Sequence, residues 1–146
     1  MNIRDLLAGP SRIWNLERGA SADELEALDA DAPIPLPRGL LELLAASNGG
    51  EGELALEPFW FRLDTAKEIR AAFSEPFLVE FFPGFIFFGG NGGLERIAID
   101  IRTGIPGQIV MIDPIGGVES AKPIAASFDE LVNTIGVAHP DSEEDA

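Results

Sequence analysis

The clearest pattern of hydrophobic and polar residues lies in the middle of the chain, between Phe81 and Asp100. Two runs there, Phe85–Phe88 and Glu95–Ile101, flank the glycine-rich segment Gly89–Gly93. In the second run isoleucine occupies every other position from 97 to 101, as in a strand that buries one face. Glycine and asparagine tolerate the positive φ angles that tight hairpin turns require. We therefore predict a β-hairpin at the centre of a small mixed sheet.

Helical periodicity and capping signals surround this hairpin. Ser21 and Glu24 have the spacing of a capping box, in which each side chain bonds the backbone N–H of the other residue. Asp64 is placed to cap another helix. The signals predict helices from Ser21 to before Pro33, over Pro37–Ala46, over Thr65–Phe73 and from Ser127 through Ile135. Apolar residues around Ile3–Leu7 and Ile13–Leu16 predict two shorter helical turns.

Short alternating segments predict three more strands, over Glu53–Leu56, Phe59–Leu63 and Gln108–Ile112. Consecutive strands joined by short turns pair mostly antiparallel. The order of elements therefore predicts an α+β fold, a mostly antiparallel mixed sheet with helices packed on one side. The length of 146 residues favours a single domain, over residues 1–138. Residues 139–146 are predicted to be a disordered acidic tail, because they have nothing to bury.

The formal net charge of −15 at pH 7 narrows the range of partners. A field of this sign repels nucleic acid phosphates and anionic lipid surfaces, so neither is predicted as a partner. The same field attracts a basic protein and raises the rate of encounter with it. Solubility alone is the alternative explanation of the charge.

Several classes of chemistry lack the residues that they need. The chain has no cysteine, which excludes disulfides, thiolate nucleophiles and sulfur-ligated metals. Its single histidine, His139, begins the predicted tail, without the partners of a nucleophile–base pair or a zinc site. No segment resembles a signal peptide or approaches the ~20 apolar residues of a membrane span. We therefore predict a cytoplasmic protein with no cofactor or metal.

The glycine-rich segment Gly89–Gly93 has two interpretations. In a phosphate-binding loop it would open a helix, and in the Walker motif a lysine and a hydroxyl residue would follow. Here Leu94 begins a strand, and the segment has no lysine. A structural hairpin turn is therefore the preferred interpretation.

Carboxylates fall around the hairpin and the strand that follows it, at Glu95, Asp100 and Asp113. Two carboxylates on one face could perform acid–base or glycosidic chemistry if their separation were suitable. The sequence does not fix that separation, so a carboxylate-based hydrolase stays open as a less favoured alternative.

Trp60 lies between two phenylalanines in a predicted strand, so its side chain points away from theirs. Either the tryptophan face or the phenylalanine face could be exposed as an anchor for a protein partner. Together with the acidic residues beside the hairpin, this gives three candidate protein-contact residues, which are Trp60, Glu95 and Asp100.

The order of short motifs along the chain resembles the SUKH superfamily, which groups yeast cell-wall-synthesis regulators with bacterial toxin-immunity proteins. The motifs span about residues 33–135. They are Leu36-Pro37, Leu43-Leu44, Ser47-Asn48-Gly49-Gly50, Phe82-Pro83-Gly84-Phe85, Phe88-Gly89, Asn91-Gly92-Gly93-Leu94-Glu95, Ile97-Ala98-Ile99-Asp100, Thr103-Gly104 and Ala126-Ser127-Phe128. This chain has Leu94-Glu95 where the family often has a further glycine or an aspartate.

The resemblance implies an α+β fold and a non-enzymatic, protein-binding role. In bacteria the role that it implies is immunity, in which the domain binds and blocks a co-encoded toxin, often a nuclease or a deaminase. A basic toxin domain is then the expected partner. The alternative that the resemblance also implies is a regulatory or scaffold protein with no toxin partner.

Overall fold

The computed structural model describes residues 2–139, in which seven strands form one sheet with the strands in chain order. The strands are β1 (Trp14–Leu16), β2 (Gly50–Glu53), β3 (Trp60–Leu63), β4 (Phe85–Gly90), β5 (Arg96–Asp100), β6 (Gln108–Ile112) and β7 (Lys122–Ala125). The helices are α1 (Ile3–Leu7), α2 (Ala22–Asp31), α3 (Arg38–Ala46), α4 (Ala66–Ala72), α5 (Pro76–Phe81) and α6 (Phe128–Val132), with a 3-10 turn at Val118–Ser120. Every neighbouring pair of strands is antiparallel, which confirms the predicted α+β class.

The two faces of the sheet differ in what covers them. On one, which we call the helix-covered face, strand residues such as Phe88 and Ile97 pack in one fully buried cluster with leucines of α1, α2, α3 and α6 and with Ile69 of α4. On the other, the open face, a smaller cluster that includes Phe82, Phe85 and Val110 is covered by Leu78 of α5 and by the 3-10 turn. The main core and most of the helices therefore lie on one side of the sheet.

The segment around Ile13–Leu16 forms an edge strand, so the predicted helical turn there is wrong. The reason lies in β2, where a Cβ on Gly52 would come 2.1 Å from the carbonyl oxygen of Ile13. The absence of a side chain at Gly52 lets the two backbones approach closely enough to pair as strands. Sequence periodicity over a few residues cannot detect this partner, because it lies almost forty positions along the chain.

The predicted cap of α4 shifts by one residue. Thr65, not Asp64, accepts the Glu68 backbone N–H, and the Glu68 carboxylate accepts the Thr65 N–H, completing a capping box. The Asp64 carboxylate instead forms an ion pair with Arg96 of β5. The capping box at Ser21 is confirmed as predicted.

Ser47 ties α3 to the edge of the sheet. Its buried hydroxyl accepts the Trp14 indole N–H and the Glu17 backbone N–H and donates to the Gly49 carbonyl. The next residue, Asn48, accepts the Ala66 backbone N–H at 2.8 Å and so also fixes the start of α4. These bonds give the Ser47–Gly50 motif a structural reason, because a buried polar group is tolerated only when it is bonded.

The glycines of the central hairpin divide into two kinds. Gly89 and Gly90 belong to β4, so the turn itself is shorter than the predicted Gly89–Gly93. A Cβ on Gly89 would lie 2.5 Å from the Arg62 carbonyl oxygen and 2.7 Å from the Phe61 ring. Gly92 is the turn glycine, with a φ of 81°. The first two glycines therefore allow strand packing, and only the later part of the segment is a turn.

Two segments that the sequence left unassigned form the helix α5 and the strand β7. Within residues 2–139 the structure contains no helix that could span a membrane. Of the predicted tail 139–146, all but the first residue lies outside the described residues. His139 packs its ring 4.6 Å from the ring of Phe59, so it contacts the start of β3.

Candidate protein-binding face

The open face carries a row of polar residues across four strands. Strand register places Glu51 of β2 beside Arg62 of β3, then Gly90 of β4 and Arg96 of β5. The missing side chain at Gly90 leaves a gap between the two arginines. Arg62 is exposed, and Glu51 and Arg96 are partly exposed, so this half of the face is open to solvent.

Trp60 stands on this exposed half. Its side chain points away from Phe61, which is fully buried among the helices, and Trp60 itself is 36% exposed. The indole N–H donates to the Glu51 carboxylate at 2.9 Å. Of the two strand faces that the sequence could not distinguish, the one that carries Trp60 is therefore exposed. A ring held in place by a hydrogen bond contacts a partner at little entropic cost, because it is already ordered.

A small cleft lies between the glycine turn and the ends of β3 and β5. It has a volume of about 70 Å³ and is lined by Arg62, Asp64, Glu95, Arg96 and four glycines. Sites that bury a small molecule usually begin at roughly 300 Å³. The cleft is therefore too small to enclose a sugar or a nucleotide.

Asp64 and Arg96 form the base of this cleft. The Arg96 guanidinium donates to the Asp64 carboxylate at 2.8 Å and, through Nε, to the Gly89 carbonyl. Burial raises the pKa of Asp64, although the positive charge of Arg96 opposes this change. The guanidinium also lies 5.8 Å from the centre of the Phe87 ring. Arg96 therefore links the polar and the aromatic parts of the open face.

Asp100 occupies the opposite end of β5 from Glu95. Both of its oxygens accept bonds from the Arg102 side chain, at 3.0 and 2.9 Å, and one also accepts the Arg102 backbone N–H. These side-chain hydrogen bonds lower the pKa of Asp100 and outweigh the effect of burial. A carboxyl held ionised in this way is poorly suited to act as a general acid near neutral pH.

The structure brings two of the three candidate contact residues together. Trp60 borders the turn, since a Cβ on Gly92 would lie 3.9 Å from its indole ring, and Glu95 closes the same turn. Asp100 lies five positions further along β5, about 16 Å away at the ~3.3 Å rise of a strand. Glu95 and Asp100 therefore do not form a catalytic pair. A contact between Asp100 and a partner stays a prediction.

Sequence analysis missed a second exposed feature, on α5. Five of the six residues of this helix are apolar or proline, yet none of them is fully buried. Phe77 is 45% exposed and Phe81 53% exposed, and Ile115, in the loop after β6, is 82% exposed. The signal was present as the run Pro76-Phe77-Leu78-Val79, which shows neither strand alternation nor a polar helical face.

Among residues 2–139, no group of three or more histidine, aspartate or glutamate side chains is arranged to hold a metal ion. The polar groups of the open face are instead bonded to one another, at Trp60 with Glu51 and at Asp64 with Arg96. An open sheet face that presents an ordered aromatic ring among charged residues is suited to contact another protein.

Comparison with known protein families agrees with this fold. The chain matches the family model described as SMI1 / KNR4 family (SUKH-1) over residues 19–134. The protein belongs to the SUKH-1 family. The SUKH-1 match covers the sheet from β2 to β7 together with α2 to α6. A search of curated proteins found no match. Membership in SUKH-1 is consistent with an immunity-type or a regulatory role.

Proposed function

We propose that this SUKH-1 protein is a cytoplasmic immunity-type module that neutralises a co-encoded toxin domain by direct contact, with no chemical reaction of its own. The observation that carries the proposal is the ordered, partly exposed Trp60 on the half of the open face that no helix covers. Family membership supports a binding role, and the net charge of −15 indicates a basic partner.

The chemistry of the partner follows from the charge. A toxin that acts on nucleic acid, such as a nuclease or a deaminase, needs a basic surface to bind phosphates. An acidic protein of this size competes for that surface and associates faster, because long-range attraction steers the encounter. Glu51 and Glu53 flank Trp60 on the neighbouring strand, and Glu95 lies across the turn. The open face would therefore meet a basic surface with Trp60 as its anchor.

Co-expression with the products of the adjacent genes tests this function. The expected result is a stable complex with a toxin domain that survives co-purification, together with rescue of cell growth when the toxin is expressed. Absence of both complex and rescue with every adjacent product would contradict the immunity role. A gene with no toxin neighbour would favour the regulatory alternative.

Two variants test whether the contact lies on the open face. Trp60→Ala should weaken binding by at least ~30-fold, the loss of about 2 kcal/mol that is typical of an aromatic anchor. Glu95→Lys should weaken it less and make it less sensitive to salt. Glu26→Lys is the matched control, since Glu26 is an exposed acid on α2 beyond the helix-covered face. Equal losses for both lysine variants would show that net charge alone, not this face, decides binding.

A further inference from the structure

A groove lies between α5 and the loop that follows β6. It has a volume of about 460 Å³, and its lining includes Phe77, Phe81, Phe82, Ile115, Val118 and Glu119. Phe82, which is buried, forms the base, with its ring 5.8 Å from that of Phe77. Phe77 and Phe81 lie 5.1 Å apart on one side, one helical turn from each other. The groove has the size and the lining to accept a large apolar side chain.

Both walls of the groove are held in place by hydrogen bonds. On the α5 side, the Glu75 carboxylate caps the helix by accepting the Leu78 backbone N–H at 2.9 Å. On the loop side, the Ser120 hydroxyl bonds both backbone groups of Asp113 and the Gly117 carbonyl. The Asp113 carboxylate also accepts the Ile115 backbone N–H. The exposed apolar side chains are therefore presented by ordered backbone and not by a loose loop, which reduces the entropy lost on binding.

The charge around the groove selects among possible occupants. Of the described residues that line it, the one with a charge is Glu119. The exposed Glu80 belongs to the same helix as Phe77 and Phe81, and the exposed Glu75 caps that helix. A second copy of this chain would bring the same acidic residues and a charge of −15 against them, which is unfavourable. A segment with an apolar residue flanked by lysine or arginine would instead find opposite charges at the rim.

We infer that the groove between α5 and the Pro114–Glu119 loop is a docking site for a basic–apolar segment of the protein partner, with a large apolar side chain inserted between Phe81 and Ile115. The inference rests on the proposed function in that the partner is basic. It adds a second contact, separate from Trp60. Arg96 lies between the two, since it pairs with Asp64 near Trp60 and contacts Phe87, whose ring packs 5.7 Å from Phe82. A partner that spans both sites would bury a continuous strip of the open face.

The experiment uses three synthetic peptides and the full chain. The first peptide carries two leucines, four residues apart, flanked by lysines. In the second the leucines are alanine, and in the third the lysines are glutamate. NMR titration of the labelled protein should show shifts in the backbone signals of Phe77, Phe81 and Ile115 with the first peptide, and at least tenfold weaker binding of the other two. Equal binding of the first two peptides, or shifts centred elsewhere, would overturn the inference.

Variants test where the first peptide binds, independently of the proposed function. Phe81→Asp and Ile115→Asp should each weaken binding of the first peptide at least tenfold. Both side chains are more than half exposed, so both variants should fold; circular dichroism and thermal unfolding check this. Ile105→Asp is the matched control, because Ile105 is 59% exposed in the β5–β6 turn and does not line the groove. Loss of binding with Ile105→Asp as well would show that the losses are not specific to the groove and would overturn the inference.

Two further results distinguish the hypotheses. If an adjacent toxin binds and Phe81→Asp binds it with unchanged affinity, the proposed function stands and the groove inference fails. If no adjacent product binds but the first peptide does so selectively, the groove inference stands and the immunity role fails. Sedimentation that shows a wild-type dimer and a Phe81→Asp monomer would assign the groove to a second copy and overturn the inference.

Discussion

The two faces of the sheet use the same kinds of residue for different purposes. On the helix-covered face Phe88 and Phe61 are fully buried, with rings 6.0 Å apart, and the helices exclude water from them. On the open face the rings of Phe77 and Phe81 are closer, at 5.1 Å, but both are about half exposed. Burial of apolar surface stabilises a fold by about 25 cal/mol per Å². The first pair therefore contributes mainly to folding, and the second leaves apolar surface that the proposed partner would bury.

The comparison extends to the charged residues. On the helix-covered side the fully buried Ser47 is uncharged, and its hydroxyl is bonded within the fold. On the open face arginines extend over phenylalanine rings, Arg102 at 4.5 Å from the centre of Phe85 and Arg96 at 5.8 Å from that of Phe87. Such contacts cover aromatic surface while keeping the charge in water. The helices thus close one face to solvent, whereas the charged side chains keep the other face hydrated and accessible.

The largest expected effect is on the helix-covered face. Phe88→Ala removes a fully buried ring and should lower the free energy of unfolding by about 3–5 kcal/mol, because a cavity remains. Phe77→Ala is the matched change on the open face and should cost less than about 1 kcal/mol. Urea denaturation of both variants measures the difference. Similar losses for the two would contradict the division of roles between the faces.

The next effect concerns the close approach of β3 and β4. Gly89→Ala places a Cβ against the Arg62 carbonyl and should cost about 1–3 kcal/mol, because backbone must shift. Gly93→Ala serves as the control, since its Cβ would meet nothing closer than the Asn91 side-chain oxygen at 3.4 Å. Thermal unfolding should show a clear decrease in Tm for the first variant alone. An unchanged Gly89→Ala variant would mean that the two strands can separate without cost.

The two carboxylate–arginine pairs of the open face should respond to pH in opposite directions. The pKa of Asp100 is lowered from 3.8 by its bonds to Arg102, so its contribution to stability is present above that value and is lost as pH falls through the folded-state pKa. Burial raises the pKa of Asp64 above 3.8, so ionising it lowers stability as pH rises through that interval.

Asp100→Asn should therefore cost about 1.5–3 kcal/mol at pH 7, the range for hydrogen bonds to a charged group, and its deficit should shrink as pH falls below about 4. For Asp64→Asn the stability of the wild type relative to the variant should instead increase as pH falls. Urea denaturation between pH 3 and pH 7 measures both differences. If the two variants follow parallel curves, the opposite pKa directions are wrong.

The smallest effect on stability is expected at the proposed contact residue. Trp60→Ala removes a partly exposed ring and its bond to Glu51 and should cost less than about 1 kcal/mol, as for other cross-strand pairs. Its effect on toxin binding should be much larger than its effect on unfolding. Chemical denaturation and binding are measured on the same preparation, with Trp60→Phe as the control that keeps an aromatic ring. A loss of binding explained fully by unfolding would remove Trp60 as an anchor.

Local sequence signals predicted the elements whose causes are local. The capping box at Ser21, the helix Arg38–Ala46 and the strand Gln108–Ile112 each depend on residues within one segment. The elements that were wrong or missed depend on distant partners. β1 forms because the missing side chain at Gly52 allows its backbone to approach β2. α5 forms although its sequence shows no polar helical face, because Leu78 and Phe82 pack it against the sheet.

Local patterns along the chain were enough to predict the α+β class, mostly antiparallel strand pairing and a resemblance to the SUKH group, and the composition sets the acidic charge. The first three follow from periodicity, turn residues and motif order, which are properties of neighbouring positions. Packing between remote segments decided which side of β3 faces water and brought Phe77, Phe81 and Ile115 to one groove. These are contacts between segments remote in sequence, and their geometry is set by packing of the whole sheet.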